Sequence, residues 1–94
     1  MTVYVDDAQL PATVGRYTVR WSHLFVPPGT DLEELHRFAV SIGLRRSWFQ
    51  GPRQHRHPHY DLTEGKRWQA IRAGAVEVTW REAGLMLRRQ SCQG

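Results

Sequence analysis

β-Branched and aromatic residues alternate from Thr2 to Val5 and then give way to the polar Asp6 and Asp7, the pattern of a short buried strand ending in a polar turn. Ala8 to Val14 contains Pro11 and reads as a loop. Arg16 to Trp21 then reads as a second strand or an extended edge, and Ser22-His23-Leu24-Phe25 leads into the break Pro27-Pro28-Gly29. Thr30-Asp31-Leu32-Glu33 has the composition of a capping box, in which the Thr30 hydroxyl accepts an amide three residues on and Glu33 reaches back. Leu32, Leu35, Phe38, Ala39 and Ile42 follow at helical spacing, so a helix with one buried stripe is predicted, stopped by a left-handed Gly43. Leu44 to Phe49 is the next strand candidate and completes a β-α-β unit.

Gln50 to Pro58 is polar, carries Gly51, Pro52 and Pro58, and is predicted to be a loop. Asp61 is placed as the cap of a second helix in which Trp68 and Ile71 face inward and Gly74 ends the element. Ala75 to Trp80 reads as a strand. Thr79-Trp80-Arg81-Glu82 repeats the capping-box logic ahead of a short helix over Ala83 to Arg89, with residues 90–94 as a frayed tail. The alternation of strands and helices predicts one α/β domain over residues 1–94, with a mainly parallel sheet of three to four strands and three helices.

Composition narrows this picture without changing it. Ninety-four residues build one core and not two, and no apolar run approaches the roughly 20 residues that cross a bilayer. No basic segment followed by an apolar one is present at the amino end, and the single Cys92 excludes an internal disulfide, so a cytoplasmic protein with no membrane partner is expected. The formal charge of +4 comes from twelve Arg and one Lys against nine acidic residues. Guanidinium groups bind phosphate bidentately, which points to an anionic partner as readily as to a merely solvated basic surface.

In a parallel sheet, ligands lie beyond the carboxyl ends of the strands. On the predicted topology Asp6 and Asp7, the histidine-rich loop His55-Arg56-His57-Pro58-His59, and Arg81 with Glu82 therefore converge on one rim, where helix amino ends offer free amides to an anion. The candidate catalytic groups are Asp6, Asp7, His23, His59 and Asp61. Tyr60, Lys66, Arg67 and Arg81 are candidates for substrate binding, and Asp6 with His59 for a divalent metal. Each also has a plainer reading: the aspartates end a strand, Asp61 caps a helix, Tyr60 belongs to the core, and His36 on the flank of the first helix is structural. His55 and His57 read first as a solvated loop. A nucleotide-binding glycine motif, a phosphate loop, a zinc-protease motif and a nucleophile elbow are all absent, and Ser22, Ser41, Ser47 and Ser91 have no motif around them.

Val5-Asp6-Asp7, Trp21-Ser22-His23-Leu24, the helix containing Phe38-Ala39, His59-Tyr60-Asp61, Gly74-Ala75 with Val78, and Arg81-Glu82 together resemble a bacterial and bacteriophage family known only as a domain of unknown function. The resemblance runs over nearly the whole chain and implies a short standalone protein, with no activity attached. The histidines and arginines between Gly51 and Pro58 depart from the pattern, which favours a role for His59 over one for His55 or His57.

Three functions compete. The first is an enzyme acting on a phosphoester or nucleotide, with metal assistance. The second is a non-catalytic nucleotide or nucleic-acid binding module that stacks bases on Trp21, Trp48 or Tyr60. The third is a protein that inhibits or bridges a host protein.

Overall fold

The structure, a computed structural model, describes residues 2–7, 10–14, 17–51 and 58–93. In chain order it contains β1 (Tyr4–Val5), β2 (Leu10–Val14), β3 (Tyr17–Phe25), α1 (Leu32–Ser41), a single 3-10 turn (Arg46–Trp48), β4 (Tyr60–Leu62), α2 (Glu64–Arg72), β5 (Val76–Glu77) and α3 (Trp80–Gln93). The domain is α/β with three helices, but its sheet is mostly antiparallel, which corrects the expected parallel arrangement. Among the described residues only β1 and β5 run parallel, while β3 is antiparallel to β1, β2 and β4.

The nine-residue β3 is the axis of the sheet. Leu24 is paired with Val5 of β1 and also with Tyr60 of β4, so these two strands flank β3 on opposite edges. The amino half of β3 forms a hairpin with β2, Leu10 opposite Trp21 and Val14 opposite Tyr17. Residues 10–14, expected as a loop because of Pro11, are thus a strand: pairing with β3 outweighs the local signal of one proline.

Leu44 to Phe49 is not a strand. Its centre is the 3-10 turn, and the chain rejoins the sheet only at Gln50, which makes an isolated antiparallel bridge with His59. Trp48 and Phe49 favour strands, but no neighbouring strand pairs with them. The expected β-α-β unit is therefore absent, and α1 leads through a loop to an antiparallel return.

The predicted stripe of α1 is buried as read. Leu35, Ala39 and Ile42 are buried, and Leu32 and Phe38 pack against the core from its margin. They meet Val5, Leu24, Tyr60, Leu62, Leu44, Ala70 and Ala75 in one apolar cluster, and burial of such side chains stabilises by about 1.5–3 kcal/mol each. The cap of α1 is Asp31 and not Thr30: its carboxylate accepts the Glu33 amide at 3.0 Å. The cap of α2 is Thr63 and not Asp61, with the Thr63 hydroxyl accepting from the Lys66 amide. At α3 the capping box forms as read, with the Thr79 amide donating to Glu82 and the Glu82 amide donating to the Thr79 hydroxyl. Ile71 packs on the core, but Trp68 is 52% exposed, contrary to the inward orientation expected of it.

Gly43 ends α1 with φ of +88°, a left-handed conformation that suits glycine. A Cβ there would lie 2.8 Å from Lys66 Nζ, which donates to the Ile42 carbonyl at 2.7 Å. Gly43 thereby lets the one lysine of the chain lie across the end of α1.

Candidate functional site

The site is built by the register of β3 against β4. Tyr60 and Leu62 are fully buried, so the intervening Asp61 leaves the sheet on the opposite side, as strand alternation requires. Asp61 is directly opposite His23, which sits between the buried Ser22 and Leu24 and so projects to that same side. His59 precedes Asp61 by two positions and shares its face. Gln50, bridged to His59, completes this side of the sheet.

Five side chains meet there. His23 Nδ1 lies 2.7 Å from Asp6 Oδ2, and the His23 amide donates to Asp6 Oδ1 at 2.9 Å. Asp6 is 2% exposed, and its carbonyl accepts from Arg67 Nε at 2.9 Å. A carboxylate that already accepts an amide acts as the acceptor for the ring as well. That assigns the His23 proton to Nδ1 and turns Nε2 toward Asp61, whose Oδ1 is 3.8 Å away. His59 Nε2 is 3.3 Å from the same oxygen, and the two imidazoles meet edge to face with centroids 5.0 Å apart. Gln50 Nε2 donates to the other oxygen, Asp61 Oδ2, and fixes the plane of the carboxylate.

Burial opposes ionisation of Asp61, but it is outweighed by the hydrogen bond and charge of His59, the charge of His23 and the amide of Gln50, which hold the carboxyl below its ordinary value. Asp61 is therefore the settled anion of the cluster. It also forms part of the wall of a pocket of about 480 Å³ lined by Trp21, Leu44, Trp48, Gln50, Thr63 and Lys66.

The remaining sequence candidates fall elsewhere. Asp7 is exposed and accepts the Trp80 amide at 2.6 Å, so it serves the amino end of α3 and is not among the side chains of the cluster described above. Tyr60 is 0% exposed, so it is a core residue, unable to stack on a ligand. Arg67 is buried and ties the Asp6 carbonyl to Glu77 Oε1 at 3.2 Å, which makes it a clamp between β1 and β5 that holds Asp6 in place and does not face a substrate. Arg81 is exposed on α3. The convergence thus comes from cross-strand register on one face, and not from a rim at the ends of parallel strands. Gln50 was missed by sequence reasoning; its signal is a polar residue flanking the loop that returns to His59. Residues 52–57, including His55 and His57, lie outside the described residues.

On the core side of β4, His36 Nδ1 shares a 2.7 Å hydrogen bond with the Tyr60 hydroxyl and meets Phe49 edge to face. Burial, reinforced by the Arg46 guanidinium and only partly offset by Glu33 and Asp31, lowers the His36 pKa below 6.5. The same burial raises that of Tyr60. With a depressed folded-state value, the unfolded chain binds the extra proton first. The His36 contribution to stability is therefore complete above pH 6.5, falls as pH drops through the folded value and levels off below it, with a slope of at most about 1.4 kcal/mol per pH unit. Denaturant titrations between pH 7.5 and 4.5 should show this component, and His36→Gln should remove it; an identical pH dependence in both proteins would contradict the neutral buried imidazole.

A family model described as a protein of unknown function (DUF4031) matches residues 3–90. No curated protein and no solved structure matches the chain. No helix among the described residues is long and apolar enough to cross a membrane.

Proposed function

Since the chain belongs to this family of unknown function, matched over residues 3–90, its own geometry must supply the reading, and we propose that it is an enzyme that hydrolyses a phosphoester of a nucleotide-like substrate. The observation that carries the reading is the double membership of Asp61, which stands in the imidazole cluster and in the wall of the pocket. A substrate in that pocket therefore lies beside Asp61, the carboxylate that both histidines approach, where a water can be activated.

The lining suits the substrate class. Trp21 and Trp48 offer ring faces to a planar group, as in base stacking worth about 1–3 kcal/mol. Lys66 spends one of its three donors on the Ile42 carbonyl and has two for phosphate oxygens. The Arg45 guanidinium lies 5.7 Å from the ring of Trp48, so a second cation stands against a residue of the lining. Lys66 and Asp61 line the same pocket, so a phosphate held by the ammonium stays in the space that Asp61 borders.

The test is hydrolysis of a panel of nucleoside mono-, di- and triphosphates, cyclic nucleotides and simple phosphomonoesters with Mg²⁺, Mn²⁺ or Zn²⁺ present. Turnover of at least one member is expected, falling by about 10²-fold or more in Asp61→Ala with unchanged far-UV circular dichroism. Nucleotide binding without turnover would favour the non-catalytic module instead. Absence of both turnover and any nucleotide-induced change in tryptophan fluorescence would remove the proposal.

A further inference from the structure

The polar face of β3 and β4 brings two imidazoles and a carboxylate within reach of one another. Asp6 takes the Nδ1 proton of His23, so Nε2 presents either a lone pair or a second proton to Asp61 Oδ1, 3.8 Å away. His59 Nε2 approaches the same oxygen at 3.3 Å. Two imidazole nitrogens thus face one carboxylate oxygen. A metal ion bound by nitrogen and oxygen at about 2.0–2.2 Å in tetrahedral geometry separates its donors by roughly 3.4 Å. The distances of 3.3 and 3.8 Å bracket that value, and one donor atom from each of His23, His59 and Asp61 lies within 4.8 Å of the others.

We propose that His23, His59 and Asp61 form a binding site for a divalent first-row transition ion, with Asp6 and Gln50 as the outer partners that orient two of its three ligands. The inference deepens the phosphoester reading, resting on it for purpose but not for geometry. Imidazole donors favour Zn²⁺ or its neighbours over Mg²⁺ and Ca²⁺, which take oxygen ligands. Three protein donors leave a position for water or substrate, the arrangement of catalytic rather than structural zinc. Asp61 lines the pocket, so the ion would be one ligand away from the substrate space. The outer shell is already in place: a carboxylate on the far nitrogen of a ligating histidine fixes its tautomer and ring plane, and the Gln50 amide on Asp61 Oδ2 leaves Oδ1 for the ion. The site differs from the sequence expectation of Asp6 with His59, because Asp6 reaches the ion only through His23.

The competing ligand set is the histidine-rich segment containing His55 and His57. Metal-stripped protein should be titrated with Zn²⁺ against a chromophoric chelator, and with Co²⁺ while the visible absorption is recorded. One equivalent of Zn²⁺ is expected, with a Co²⁺ spectrum of low-coordinate nitrogen and oxygen ligation. His23→Ala and Asp61→Asn should each lower the affinity by more than the about 10–100-fold that loss of an outer partner causes. His55→Ala/His57→Ala should bind as the parent does, and far-UV circular dichroism checks that each variant is folded. Affinity lost in His55→Ala/His57→Ala but retained in His23→Ala would overturn the inference, as would the absence of stoichiometric binding. The two proposals fail separately: stoichiometric metal without phosphoester turnover refutes only the reaction, and turnover without stoichiometric metal binding refutes only the metal site.

Discussion

Tyr60→Ala is expected to destabilise the domain by about 3–5 kcal/mol, the usual effect of removing a fully buried aromatic side chain. Tyr60 is 0% exposed, packs its ring 5.5 Å from that of Phe49, and bonds His36 through its hydroxyl. A domain of this size has a total stability of about 5–15 kcal/mol, so the loss is a large fraction of what is available. The thermal midpoint should fall by at least about 12 °C. Tyr60→Phe separates the two components: it keeps the ring but leaves His36 Nδ1 without its partner, and about 1–3 kcal/mol should be lost. Thermal melts of the three proteins check both figures, and a Tyr60→Ala midpoint equal to the parent's would show that β4 does not sit on the core in this register. The consequence extends to function, because the same three-residue strand carries Asp61 on its other side and continues from His59.

The second large effect is expected from Asp6→Asn. Asparagine keeps the volume of the buried side chain and its Oδ1 can still accept the His23 amide, so the fold should survive. What is lost is the anionic acceptor for His23 Nδ1–H. The asparagine NH₂ group is a donor, favours a lone pair on Nδ1, and therefore moves the ring proton to Nε2, where it faces Asp61. Substitution of such an outer partner lowers activity or metal affinity by about 10–100-fold. The expected signature is a fall in kcat with little change in KM, together with a switch of the His23 tautomer in the ¹⁵N spectrum of the imidazole. A merely structural role for Asp6 would lower stability without moving the tautomer, and unchanged activity with an unchanged tautomer would contradict the assignment.

Local signals in the chain were enough for the buried stripe of α1 and for the cap of α3, though not for the cap or the inward face of α2. The apolar spacing of α1, the Thr79–Glu82 box and the left-handed Gly43 and Gly74 are all determined within a few residues, and the structure follows them. The sheet is decided over longer distances. Whether Leu44 to Phe49 or Leu10 to Val14 is a strand depends on which partner reaches it across the fold: β3 reaches the second despite Pro11, and no strand reaches the first despite Trp48 and Phe49. Antiparallel pairing of Tyr60–Leu62 back onto β3 was likewise invisible to a reading that expected strands and helices to alternate.

Asp61 illustrates the competition between signals. Ahead of Thr63 and Glu64 it reads as a helix cap, but Tyr60-Asp61-Leu62 is also an apolar-polar-apolar triplet, the shortest signature of a half-buried strand. Thr63 supplies the cap, which leaves Asp61 for the site. The grouping of Asp6, His23, His59 and Asp61 was anticipated, though for a different geometrical reason. Lys66 does lie in the pocket wall, whereas Asp7, Tyr60 and Arg67 were drawn into caps, core and clamp, positions that depend on burial rather than on residue type.

All of this depends on His23 and His59 projecting from the same face of the sheet as immediate neighbours. A nuclear Overhauser spectrum of the imidazole ring protons tests that directly. Edge-to-face rings with centroids 5.0 Å apart should give strong cross-peaks between His23 and His59, alongside those joining the side chains of Leu24 and Tyr60 on the buried side. If the Leu24–Tyr60 peaks are present and the imidazole peaks are absent, the two histidines do not share a site.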